Sequence, residues 1–201
     1  MYAQGEELCT GCTHRIARTP WGVSTLSIES RRIPILWREV YGGPLTELIY
    51  QSKYHGVWPI AALLGQQLGA LPRPWMGPAP VVVPIPLSRR RLARRGYNQS
   101  SIIARMAARD WGISMREGWL EKIKNTPRQA SLGRTGRGQN LSESFRADRA
   151  VAHQRVILLD DIMTSGSTLR EAIRAIHCCG GQVIGAAVIA RVGPPSFGLK
   201  P

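Results

Sequence analysis

Acidic residues are scarce in this chain. Against 27 Lys plus Arg there are only 13 Asp plus Glu, which leaves a formal net charge of +14 and a pI near 10.8. A deficit of that size favours polyanionic partners: nucleic acid, phosphorylated metabolites or an acidic membrane surface. Charge by itself does not choose among them. Arginine dominates the excess, and its planar fork matches phosphate better than the point charge of lysine does. Long apolar runs are missing as well. The longest, at residues 81–83 and 184–190, are far too short to cross a bilayer, so no membrane span is expected. The opening Met1-Tyr2-Ala3-Gln4-Gly5-Glu6 has neither a basic leader nor an apolar signal core, and a cytoplasmic protein is expected.

Cysteine is limited to Cys9, Cys12, Cys178 and Cys179, expected as reduced thiols rather than a disulfide framework. Cys9-Thr10-Gly11-Cys12 has metal-ligand spacing, but a structural zinc site ordinarily needs a second such pair and none lies nearby, so no zinc is expected. Aromatic residues make up 6% of the chain, and no stacking platform for single-stranded nucleic acid is evident. There is no internal repeat. A Gly-rich loop ending in Gly-Lys-Ser/Thr is also absent, which removes the P-loop nucleotide hydrolases from consideration.

What is present is an ordinary hydrophobic content, 43%, over 201 residues, enough for one domain with an appended N-terminal piece. From Pro78 onward, strand-like and helix-like segments alternate. Residues 81–86 are a β-rich run ended by prolines. Asn98 can cap a helix with Ile102, Ile103, Met106 and Ala107 on one face, and Gly112 can end it. Residues 156–159 are apolar on both faces, which predicts a central parallel strand. A second helix is predicted from about Ser167 to Cys178, where Leu169, Ala172, Ile173 and Ile176 keep core-facing spacing; a strand follows at residues 183–189. Such alternation predicts an α/β domain with a mostly parallel twisted sheet flanked by helices. Upstream, residues 45–52 and 60–71 could be helices, and residues 1–40 resist assignment. The polar stretch 122–144 carries no periodicity and reads as a long functional loop.

The informative segment is Val156-Ile157-Leu158-Leu159-Asp160-Asp161-Ile162-Met163-Thr164-Ser165-Gly166-Ser167-Thr168. An apolar strand delivers two adjacent carboxylates to the edge of an open parallel sheet where ligands bind. A tight turn of small residues follows and opens into a helix, offering backbone N–H groups, hydroxyls and favourable potential to an anion. Gly166 admits a phosphate where a Cβ would interfere. Helix capping alone would need one such residue, not two carboxylates and a hydroxyl-rich turn. One end of the segment suits a phosphate and the other suits hydroxyl groups, and a phosphorylated sugar has both.

The segment resembles the signature of type I phosphoribosyltransferases. The resemblance implies that Asp160 and Asp161 hold ribose hydroxyls while Thr164, Ser165, Gly166, Ser167 and Thr168 cradle the 5-phosphate of 5-phosphoribosyl-1-pyrophosphate. Further motifs resemble the ComF family of competence-associated proteins. These are Pro84-x-Pro86, the arginine run 89–95, Arg95-Gly96-Tyr97-Asn98-Gln99, the spaced Thr126, Gln129, Leu132, Arg137, Asn140 and Phe145, and more loosely Tyr41, Leu45, Lys53 and Gly56. The resemblance covers about residues 40–192. It implies a degenerate cysteine module at 1–40, a phosphoribosyltransferase-like domain at 41–192 and a tail at 193–201. In that fold the arginine run borders the pyrophosphate, and a bidentate fork is suited to charge building on a leaving group. Arg91 and Arg95 are the candidates, with Arg89, Arg90 and Arg94 left as surface charge. The loop 122–140 resembles a lid, with Lys122, Lys124 and Arg137 as candidates for neutralising pyrophosphate. Magnesium is expected with the pyrophosphate, held mostly by substrate oxygens and water. The expected function is phosphoribosyl transfer to a nitrogen acceptor. The alternative is a non-catalytic accessory protein of DNA uptake that binds the sugar ligand or single-stranded DNA. Partner expectations also include DNA-uptake machinery and a homodimer.

Overall fold

The computed structural model describes residues 10–54, 57–75, 80–123 and 144–193. In chain order the first half comprises α1 (Thr10–Ala17), β1 (Gly22–Ile28), β2 (Arg31–Val40), α2 (Pro44–Tyr54), α3 (Trp58–Gly69) and β3 (Val81–Pro84). The second half comprises α4 (Arg89–Arg95), α5 (Gln99–Asp110), β4 (Ser114–Met115), β5 (Leu120–Lys122), β6 (Phe145–Ala147), a single 3-10 turn at Arg149–Val151, β7 (Arg155–Met163), α6 (Ser167–Cys178) and β8 (Gln182–Arg191).

Six strands form one sheet in the order β1-β2-β8-β7-β3-β4. Every neighbouring pair from β2 to β4 is parallel, and β1 closes one edge antiparallel to β2. β5 and β6 pair separately as a short antiparallel ribbon. The strand predicted to be central is so: β7 lies between β8 and β3, and Val156, Ile157, Leu158 and Leu159 are fully buried. Their alternation feeds two apolar layers. Ile157 and Leu159 pack with α2, α3 and α5 through Leu45, Ile49, Leu64, Leu68 and Ile103, whereas Val156 and Leu158 pack with α6 through Leu169, Ala172 and Ile173. A parallel sheet covered on both faces requires such continuous apolar strands.

The predicted helices at 45–52, 60–71 and 167–178 and the strand at 183–189 all form, each within a few residues of its expected ends. Two findings differ from expectation. Residues 22–40, unassigned in sequence and placed ahead of the domain, form a hairpin whose second strand joins the main sheet, pairing Ile35 with Ala186 through to Val40 with Arg191. The sheet therefore crosses the expected boundary at residue 40. β2 was hard to read because two of its charged residues, Arg38 and Glu39, are buried. Arg38 donates to the carbonyls of Ile16 (2.8 Å) and Thr19 (3.2 Å), and Glu39 accepts from Leu45 N (3.0 Å), Thr46 N (2.5 Å) and Thr46 Oγ1 (2.7 Å). Glu39 thereby caps α2 from a neighbouring strand. Asn98, expected as a side-chain cap, does precede α5, but its amide donates to Ile85 O (3.0 Å) and Ser101 Oγ (2.9 Å). It ties the end of β3 to α5 instead. Gly112, at φ +64°, turns the chain after α5 as expected.

No described helix is long and apolar enough to cross a membrane. Cys9 lies outside the described residues, as does the side chain of Cys12. Cys178 and Cys179 are free thiols at the end of α6, as expected.

One close approach makes a testable demand on the core. Trp75 lies directly over Gly185 of β8, where a Cβ would sit 1.6 Å from the indole Nε1. Trp75 is buried and packs edge-to-face on Trp111, so it has little room to retreat. Gly185→Ala should therefore cost about 2–3 kcal/mol of unfolding free energy, read by denaturant titration, through overpacking. A neutral substitution would mean the indole moves freely.

Candidate active site

The parallel strands β2, β8, β7 and β3 all point their C-terminal ends to one edge, and a cleft of about 760 Å³ opens there. Asp160 and Asp161, near the end of β7, form its floor, with Thr164 and Thr168 beside them. Five cations line the cleft (Lys53, Arg91, Arg94, Arg95 and Lys122) against these two carboxylates, so the space selects for an anion.

The carboxylates sit in unlike surroundings. Asp161 Oδ2 lies 2.8 Å from Lys53 Nζ, and both side chains are mostly shielded from solvent. Asp160 Oδ1 accepts from Ser100 Oγ of α5 (3.0 Å) and from the amide of Asp161 (2.9 Å). Part of Asp160 still faces the cleft, but burial and then the neighbouring Asp161 charge push its carboxyl up to about 7.

Lys53 is delivered by α2, whose first turn is held by Glu39 and whose far end is held by Tyr97, since the Tyr97 hydroxyl donates to Ser52 O. Burial pushes the Tyr97 phenol up. The Arg-Gly-Tyr-Asn-Gln motif is therefore largely a brace. Arg95 donates to Gln99 Oε1, Tyr97 holds α2, and Asn98 holds the end of β3.

The expected phosphate turn opens α6. Thr164, Ser165 and Ser167 are exposed, and Gly166 is buried at φ +76°. A Cβ on Gly166 would meet Leu26 of the hairpin at 2.8 Å, so glycine is required by both conformation and space. Arg170 clamps the turn, donating from Nη1 to Ser165 O (2.6 Å), and its Nε reaches toward Ser27 O (3.4 Å). Ser165 Oγ approaches Ser167 N (3.4 Å) and Ser167 Oγ (3.2 Å). Among the described residues the amides of Ser165, Gly166 and Thr168 donate to no protein acceptor, which leaves them for a ligand.

The structure thus gathers Asp160, Asp161, Thr164, Thr168, Arg91, Arg95 and Lys122 around one cleft, with Ser165, Gly166 and Ser167 completing the turn at its edge. Lys122 also lies 5.1 Å from the centre of the Phe145 ring. Burial first, and then Arg91, push its ammonium down. Lys124 and Arg137 lie outside the described residues, as do Thr126, Gln129, Leu132 and Asn140 of the spaced pattern. Arg94 departs from expectation by lining the cleft; Arg89 instead pairs with Glu121 at 2.9 Å. Sequence reasoning missed Ser100, Arg170 and the tyrosines Tyr41 and Tyr50, and gave Lys53 no role. Lys53 and Tyr41 left a trace, as parts of one loose motif, whereas Ser100, Arg170 and Tyr50 act across elements far apart in the chain.

Comparison with known proteins agrees with this architecture. The Phosphoribosyl transferase domain model matches residues 117–195. The chain is 32% identical to "Competence protein F" of Haemophilus influenzae, over 55% of this chain and 49% of that protein. It is also 32% identical to "DNA utilization protein YhgH" of Salmonella typhi, over 72% of this chain and 66% of that protein. The chain thus spans about half the length of the first relative and about two thirds of the second. A solved glutamine phosphoribosylpyrophosphate amidotransferase from B. subtilis aligns with 67% of this chain and 26% of its own, at 22% identity and a TM-score of 0.41. On the sequence matches, the chain belongs to the ComF family, and its residues 117–195 belong to a phosphoribosyl transferase-type domain.

Proposed function

We propose that the cleft binds 5-phosphoribosyl-1-pyrophosphate and that the protein transfers the phosphoribosyl group to a nitrogen acceptor, releasing pyrophosphate. The observation that carries this reading is the join between unlike chemistries at one strand end. Two carboxylates able to accept from ribose hydroxyls stand beside a turn with unspent amides, under a wall of arginines. The 5-phosphate would sit at Thr164, Ser165, Gly166, Ser167 and Thr168, where the start of α6 adds favourable potential. The pyrophosphate would face Arg91, Arg94, Arg95 and Lys122, whose charges would meet the negative charge that builds as the C1–O bond breaks. Asp160 and Asp161 would fix the ring so that C1 is presented between the leaving group and the acceptor.

Among the described residues, no three carboxylate, imidazole or thiol groups converge on a metal position, and Asp161 is already paired with Lys53. A magnesium ion would be held by the oxygens of the pyrophosphate and by water. Its chemistry, when bound, is to neutralise pyrophosphate charge.

A second reading has its own support. The relatives are named for competence and DNA utilization, and α4 presents arginines to solvent as well as to the cleft. On that reading the protein is a non-catalytic accessory of DNA uptake that holds the sugar ligand or single-stranded DNA. Pyrophosphate release over a panel of bases and amines separates the two: turnover favours the enzyme, whereas tight sugar binding without turnover favours the accessory.

Titration calorimetry with the sugar diphosphate and magnesium tests the site. Asp160→Asn/Asp161→Asn should weaken binding at least about tenfold, since hydrogen bonds to charged groups contribute roughly 1.5–3 kcal/mol each. Unchanged affinity would remove the carboxylates from the site.

The raised Asp160 carboxyl makes a separate demand on stability. Its ordinary value is 3.8 and its folded value about 7, so between these the folded state holds the proton more tightly than the unfolded chain. Stability should then fall as pH rises from about 4 to 7 and level off above. Asp160→Asn should flatten that slope, gaining on the order of 1–3 kcal/mol over wild type at pH 8 relative to pH 4.5. A difference that does not change with pH would contradict the buried carboxyl.

A further inference from the structure

Parallel pairing between β2 and β8 starts only at Ile35 and Ala186, although β2 begins at Arg31 and β8 at Gln182. The first residues of each strand pair elsewhere, Arg31 to Pro34 with β1, and Gln182 and Val183 with β7. The sheet is therefore forked at its N-terminal edge. Two irregularities coincide with the fork. Pro34, the last residue of β2 before the ladder, has no N–H to donate. β8 bulges at Ile184, between the pairs Val156–Val183 and Ile157–Gly185. A second cavity, of about 740 Å³, opens here, with Arg31, Arg32, Ile33, His177, Gln182 and Ile184 in its lining. β2 runs ten residues from the fork toward the cleft, so at about 3.3 Å per residue roughly 30 Å of strand separates the two cavities.

The fork is cationic. Arg31 and Arg32 are successive on a strand, so their side chains leave opposite faces of it and approach the cavity from two sides. Both are exposed, and among the described residues neither meets a carboxylate. The Arg32 side chain has no polar partner, and Arg31 Nη1 only reaches His177 Nε2 at 3.5 Å. Glu29, the carboxylate that acts on the His177 ring, is engaged by Arg174 at 3.7 Å. His177 Nε2 also accepts the amide of Val183 (3.3 Å), so that nitrogen is held unprotonated. Burial first, and then the Arg31 charge, push the imidazole pKa down. Two uncompensated guanidinium groups beside one cavity repel each other. An anion between them removes that repulsion and takes their bidentate hydrogen bonds. The cavity is larger than a bare phosphate needs, and Ile33 and Ile184 offer apolar surface to the rest of a ligand. We propose that the fork between β2 and β8 is a second anion site, separate from the cleft, which takes a phosphorylated metabolite of nucleotide size between Arg31 and Arg32. The proposal does not depend on what the cleft binds. A nucleic-acid backbone carries the same phosphate chemistry, but a recess between two strands suits one small ligand better than a continuous polymer.

His177, one of four histidines in the chain, is a local reporter of this site. Its imidazole signals in proton–nitrogen NMR spectra are assigned by their loss in His177→Gln. The full chain is titrated with ADP, with pyrophosphate, with a short oligothymidylate, and with sodium chloride at matched ionic strength. ADP or pyrophosphate should shift the His177 signals saturably and raise the pH midpoint of the ring, because the Arg31 charge is offset. Arg91→Gln/Arg95→Gln, which strips the cleft of two cations, should leave the affinity read at His177 within about twofold. Arg31→Gln/Arg32→Gln should lower it at least about tenfold. Gln182→Glu, which keeps both arginines and adds a negative charge, should lower it at least about threefold. All three fork side chains are exposed, so an unchanged melting temperature separates lost binding from lost fold, and Gln182→Glu carries the test if the double variant unfolds. No saturable shift, a shift equal to that from sodium chloride, one indifferent to both fork variants, or one produced by the oligonucleotide alone overturns the proposal.

Discussion

Two successive carboxylates at the end of a fully buried strand repel one another, and the structure around the cleft is arranged about that repulsion. Asp161 is relieved by Lys53, an ion pair with little exposure on either side, while Asp160 is left with a hydroxyl, an amide and a carboxyl raised to about 7. An unpaired second charge at this depth would cost several kcal/mol, so the cation is not optional. Lys53 reaches its place only because α2 is held at both ends, by Glu39 from β2 and by Tyr97 from the turn before α5. A buried carboxylate in one strand thereby serves the pairing of another carboxylate two strands away.

The same edge is braced from below. Gly166 lies against Leu26, and Arg170 holds the carbonyl of Ser165 while reaching toward the hairpin. That carbonyl is turned toward Arg170, while among the described residues the amides of Ser165, Gly166 and Thr168 have no protein acceptor. The β1–β2 hairpin is thus part of the cleft's support, although none of its residues lines the cleft. Arginines and tyrosines stand at different parts of the rim: α4 follows β3 on one side of β7, whereas Tyr41 follows β2 and Tyr50 lies on α2, which follows β2 on the other side.

Much of the parallel core was legible because its signals are local. The run Val156-Ile157-Leu158-Leu159 is apolar on both faces, and burial on both faces of a sheet demands that. The spacing of Leu169, Ala172, Ile173 and Ile176 marks one face of α6, and those four are the helix's buried residues. β2 was not legible, because Arg38 and Glu39 are buried by partners that only the folded chain supplies. Asn98 was recognised as a helix-starting residue, but its side-chain partner, the carbonyl of Ile85, belongs to another element.

The order Asp160-Asp161 followed by Thr164-Ser165-Gly166-Ser167-Thr168 determined that a carboxylate pair would stand beside a hydroxyl-rich turn opening a helix, since adjacency along the chain enforces it. Which cation would relieve Asp161, which arginines would turn into the cleft, and that Tyr41 and Tyr50 would share its far wall were decided by tertiary structure alone. The physical reason is distance along the chain: Lys53 and Asp161 are more than a hundred residues apart, and only the stacking of β2, β8, β7 and β3 brings their helices and strand ends to one edge.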